Sequence, residues 1–94
     1  MSQNENDHTF WDRADKFIDV ANGFCDQNPR GKVSASLLYA AARFNAFVVA
    51  ASAEAPEEML REREAALEYF VGEYRKMLEE NLDDQIENFV KNRS

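Results

Sequence analysis

Glycine and proline are scarce here. The 94-residue chain holds three glycines and two prolines. Sandwiches, meanders and barrels reverse direction every few residues and draw on those two types to do it. Their scarcity argues strongly against an all-β fold. At 10.8 kDa the chain is also too short for a doubly wound or barrel enzyme. There is one cysteine, Cys25, so no intrachain disulfide can form, and small secreted domains usually depend on such staples. There is one histidine, His8, in a polar segment with no other ligand at metal-binding spacing. Positive charge is short as well. Eleven Lys and Arg stand against 18 Asp and Glu, for a net charge of −7. That balance opposes binding to the phosphates of nucleic acid.

What the chain does have is apolar and charged residues in helical alternation, 45% hydrophobic and 31% charged. Residues 1–8 are polar and are expected to be disordered. A single helical domain is expected over residues 9–92. A first helix is predicted over about 9–27, opened by Thr9 with Asp12 three residues on. Phe10, Ala14, Phe17, Ala21 and Phe24 form its apolar stripe. Asn28, Pro29, Arg30 and Gly31 read as a turn. A second helix is predicted over about 34–54, with Ser34 as its cap and Val33 and Leu38 spaced as a hydrophobic staple. One face carries Leu37, Ala41, Phe44, Val48 and Ala51. The other carries Tyr39, Ala42, Ala46, Val49 and Ala50, so this helix is apolar nearly all round.

A third helix is predicted over about 56–91, with Pro56 in its first turn and Glu57 and Glu58 at the positive end of the helix dipole. Leu60, Leu67, Val71, Tyr74, Leu78, Leu82 and Phe89 hold one stripe. The fold class expected is all-α, an antiparallel three-helix bundle with a long C-terminal helix. A 35-residue helix is about 52 Å long, against about 30 Å for its neighbours, so its end overhangs. Either it breaks near Asn81 and folds back, or the overhang packs on a second copy. The unbroken stripe favours a homodimer, with Ala42, Ala46, Val49, Leu82, Ile86, Phe89 and Val90 in the interface.

Few residues suggest chemistry. Cys25 flanks an apolar stripe, the usual place of a small buried hydrophobe. Gly31-Lys32 and Ser34 lack the earlier glycine of a phosphate loop. The glutamates of the third helix have no histidine to complete a di-iron pattern and read as a solvated acidic face. No catalytic residue, no metal site and no cofactor is expected. Arg43 and Asn45 are the informative polar residues, since they interrupt an apolar helix. Arg43 requires a carboxylate or carbonyl partner, Asp12, Asp15 or Asp19 being candidates, or it must reach solvent. The bland account is a helix-to-helix clamp. The functional account is a polar pocket of Arg43, Asn45, Tyr39 and Asn22 that takes a small anionic ligand, in a binding protein or weak enzyme. The run from Val33 to Ala53 has nearly the length of a bilayer span, but a central Arg is costly there, and no membrane association is expected. No basic-then-apolar leader opens the chain, which points to the cytoplasm.

The run KVSASLLYAAARFNAF, with FWDRADKFIDVAN before it and EYFVGEYRKMLEENLDD after it, resembles a family of short proteobacterial proteins catalogued as a domain of unknown function. The resemblance covers about Phe10 to Phe89 and is most specific over Val33 to Phe47. It implies a soluble bacterial protein and brings no catalytic residues with it.

The functional expectation is therefore a non-enzymatic helical interaction protein acting as a homodimer, with a further protein partner possible. A regulator that mimics nucleic-acid charge is a weaker third reading. Charge is uneven along the chain. Residues 1–50 hold 5 basic and 6 acidic side chains, and residues 51–94 hold 6 and 12. The acidity belongs mainly to the last helix.

Overall fold

The computed structural model describes residues 8–93, and the expected disorder of the N-terminus falls almost wholly outside that range. The described residues form four helices and no strand: α1, His8–Phe24; α2, Arg30–Ser52; α3, Pro56–Glu87; and α4, Phe89–Arg93. The all-α expectation holds. The chain divides into two compact units, Met1–Phe47 and Val48–Ser94.

In the first unit, α1 ends at Phe24 and not at Gln27. Asn28 Nδ2 donates to the Phe24 carbonyl at 2.9 Å, satisfying one of the acceptors a helix end leaves open. The second helix begins at Arg30, four residues before the predicted cap at Ser34. The Pro29 carbonyl accepts from the Lys32 and Val33 amides at 3.0 and 3.2 Å. Proline brings a fixed φ to the helix entrance, so it starts the helix where a turn was expected. Gly31 is then held inside the first turn. Val33 is buried at 8% exposure and is the one buried hydrophobe among the described residues. No Cα of α1 lies within 8 Å of a Cα in the α2 segment 30–47. The apolar stripe of α1 therefore finds no close partner there, and Phe17 and Phe24 are exposed.

In the second unit, Ala55 precedes α3 in extended conformation (φ −159°, ψ 154°) and Pro56 opens the helix. Glu58 Oε1 accepts from the Glu54 amide at 2.9 Å, one residue ahead of the N-cap, which ties the entering chain to the first turn. The helix is unbroken at Asn81, as the stripe favoured, but it ends at Glu87 and not near Lys91. Asn81 Nδ2 donates to the Met77 carbonyl at 2.8 Å and the helix runs on. The break comes at Asn88, where φ −102° and ψ 16° leave the helical region. Its Nδ2 donates to both the Asp84 carbonyl, at 3.0 Å, and Asp84 Oδ1, at 3.1 Å. A short amide side chain competing for backbone groups is a known way to end a helix. The five-residue α4 then follows.

Gly72 lies in the interior of α3, and a Cβ added there meets nothing within 4 Å. The substitution Gly72→Ala is expected to raise stability by about 0.5–1 kcal/mol, because glycine surrenders more backbone freedom than alanine in a helix. A thermal melt without a rise in midpoint would contradict this.

Candidate interaction surface

The surface begins with helical spacing along α2. Ala35, Tyr39, Arg43 and Phe47 follow at i, i+4, i+8 and i+12, and so form one ridge. Ser36, Ala40 and Phe44 form the ridge beside it. Together these seven residues line an open patch on one side of α2. At 1.5 Å per residue the patch is about 18 Å long. Tyr39, Phe44 and Phe47 stand 63%, 64% and 65% exposed. The Phe44 and Phe47 rings sit 6.4 Å apart between centroids.

Arg43 is the only charged residue of α2 after Lys32. Its guanidinium carbon lies 5.0 Å from the centre of the Tyr39 ring. The attraction between a cation and the negative face of a ring is worth about 0.5–1 kcal/mol at an exposed site. The expected clamp to Asp12, Asp15 or Asp19 is not formed. Ion pairs are seen within α3, Arg75–Glu79 at 3.1 Å and Lys76–Glu73 at 2.8 Å among them. Arg43 needs no carboxylate here because its head group is in water, the second possibility the sequence left open.

Of the four residues assigned to a ligand pocket, Tyr39 and Arg43 come together. Asn45 is half-buried and lies about 200° around the helix from Arg43, off the patch. Asn22 is an exposed residue of α1 and does not line the patch either. Ala35, Ser36, Ala40 and Phe47 line it and were not singled out from sequence. The signal was present in the four-residue spacing of Tyr39, Arg43 and Phe47, an aromatic, a cation and an aromatic on one ridge. Among the described residues, no group of three or more His, Cys, Asp or Glu is placed to hold a metal ion.

The residues expected to bury a dimer interface stand open. Ala42 and Ala46 are exposed and Val49 is half-buried. At the other end of the chain, Leu82, Ile86, Phe89 and Val90 are exposed, Ile86 by 70% and Val90 by 76%.

Residues 10–86 match the family described as "Protein of unknown function (DUF3144)". The chain belongs to that family. The DUF3144 region takes in the whole α2 patch and α3 as far as Ile86, leaving Phe89 and Val90 beyond it. The chain is also similar to a solved structure, the NMR structure of the protein NB7890A from Shewanella sp.. Identity is 37%, the match covers 95% of each chain, and the TM-score is 0.76. No curated protein matches. Among the described residues, α2 is the one helix long and apolar enough to cross a membrane, a property that core helices of soluble proteins share.

Proposed function

We propose that this DUF3144 protein is a non-enzymatic helical interaction protein that acts as a homodimer, and that its antiparallel bundle is completed between two copies. The observation that carries the reading is the apolar stripe that the helices of each unit leave uncovered within that unit. In the first unit Phe17, Phe24, Phe44 and Phe47 are exposed, and in the second Leu60, Val71, Leu82 and Ile86 are. Apolar side chains in such runs mark surfaces that another polypeptide covers, and obligate homodimers bury about 2,000–5,000 Å² of this kind.

A cytoplasmic location belongs to the same reading and is supported by the lone cysteine. So does α2 as a protein-facing helix, supported by Arg43 near its middle, a costly residue at the centre of a bilayer. Sedimentation or light scattering at micromolar concentration tests the proposal. The expected mass is twice 10.8 kDa. A monomer mass would overturn the reading.

A further inference from the structure

The last turn of α1 carries the one Asn-Gly step of the sequence, Asn22-Gly23. Both residues are poor helix formers. The short amide of asparagine competes with the backbone, and glycine surrenders the most freedom on ordering. The bonds that close this turn are long or shared. The Cys25 amide is divided between the Ala21 and Asn22 carbonyls, at 3.3 and 3.1 Å. The Asp26 amide donates to the Gly23 carbonyl at 3.3 Å, and the Gln27 amide to the Phe24 carbonyl at 3.2 Å. A typical N–H···O bond is about 2.9–3.0 Å. Reaching three residues back in place of four is the tighter, poorer pattern of a helix running out. All these contacts lie within the first unit.

We propose that Asn22 is a site of spontaneous self-modification, gated by the fraying of α1. The Gly23 nitrogen attacks Asn22 Cγ, unhindered because glycine has no side chain. As that N–Cγ bond forms, the Cγ–Nδ2 bond breaks, and the Gly23 amide proton leaves with the NH₂ group as ammonia. Water then opens the resulting succinimide at either carbonyl, giving aspartate or isoaspartate at position 22. Nothing is oxidised or reduced. An intact helix blocks the attack, since it fixes the backbone at Asn22 and commits the Gly23 N–H to the carbonyl four residues back. Opening of the last turn removes both obstacles, and end turns open at far less cost than helix interiors. Asn45 and Asn81 lie inside α2 and α3 and supply the contrast. Asn28 precedes Pro29, which has no N–H to give up, so this closure is closed to it. Conversion places a carboxylate at the negative end of the helix dipole, three residues after Asp19. The isoaspartate form also adds a methylene to the backbone, which the helical ladder does not span. The modified chain therefore keeps a shorter α1. The inference is independent of the homodimer reading.

Peptide mass spectrometry of the full chain, aged in mildly alkaline buffer, tests this. Conversion at Asn22, Asn45 and Asn81 is followed in the folded protein and in guanidinium chloride, and each folded rate is divided by the denatured rate of the same residue. That ratio removes the effect of the neighbouring side chain and leaves the protection given by structure. At Asn22 it is expected to exceed the ratios at Asn45 and Asn81 by about tenfold or more. The Asn22 peptide is expected to yield both aspartate and isoaspartate. Gly23→Ala is expected to slow conversion about tenfold even in denaturant, where helix strength plays no part and only the added methyl group acts. A ratio at Asn22 no higher than at the two interior asparagines would overturn the gating by α1. Aspartate without isoaspartate would overturn the succinimide route.

Discussion

Replacing Leu82 and Ile86 together by aspartate is expected to abolish self-association at micromolar concentration. Both side chains are exposed on α3, on the side that carries its apolar stripe. Burying a side chain of that size is worth about 1.5–3 kcal/mol. In a two-fold dimer each substitution acts twice, so four buried side chains are lost, roughly 6–12 kcal/mol. A micromolar dissociation constant corresponds to about 8 kcal/mol. The loss is therefore comparable with the whole association energy, before any penalty for burying carboxylates. Sedimentation velocity reads the outcome, and circular dichroism reports whether α3 still forms. Glu80→Gln, on the opposite side of α3, serves as the control and is expected to leave the mass unchanged. A double variant that keeps the parent mass would remove the end of α3 from the interface.

The sequence made some of this structure legible and concealed the rest for physical reasons. The all-α class followed from few turn residues and a 3.6-residue period, which are local properties. The start of α3 was legible because Pro56 is tolerated in few helical positions and the first turn is one of them. The start of α2 was misplaced. A hydroxyl at Ser34 is a good cap, but the Pro29 carbonyl had already accepted the Lys32 and Val33 amides, and the helix was under way. The break at Asn88 and its absence at Asn81 turn on a second bond. Both asparagines reach the carbonyl four residues back, but only Asn88 also holds a carboxylate, that of Asp84.

Arg43 shows the limit of reasoning from polarity alone. An arginine in an apolar helix must be paired or wet, and the sequence does not say which; in one chain it is wet and stacked on Tyr39. The partition of the site was readable only in part for the same reason. Periodicity put Tyr39 and Arg43 four residues apart on one ridge. Grouping Asn45 with them ignored the roughly 200° that two helical residues subtend. More generally, a stripe of apolar residues states that a face must be covered. It carries no label for whether the cover comes from the same chain or another.

That distinction has a thermodynamic signature, and it leads to the second large effect. Ordering a residue costs about 1–2 kcal/mol of backbone entropy, which burial must offset. Among the described residues Val33 alone is a buried hydrophobe, so neither unit by itself has much burial to set against that cost, and on the homodimer reading a second copy supplies it. Folding should therefore coincide with association, and the melting temperature should depend on protein concentration. Each tenfold dilution removes about 1.4 kcal/mol from the assembled state. For an assembly of two such chains that corresponds to a fall of about 3–5 °C in the melting midpoint. Helical circular dichroism followed through heating, over three tenfold dilutions, measures it. A midpoint that does not move would mean that a single chain is stable by itself. The apolar faces of α2 and α3 would then be surfaces that a monomer keeps exposed, and assembly would be a separate step taken by an already folded protein.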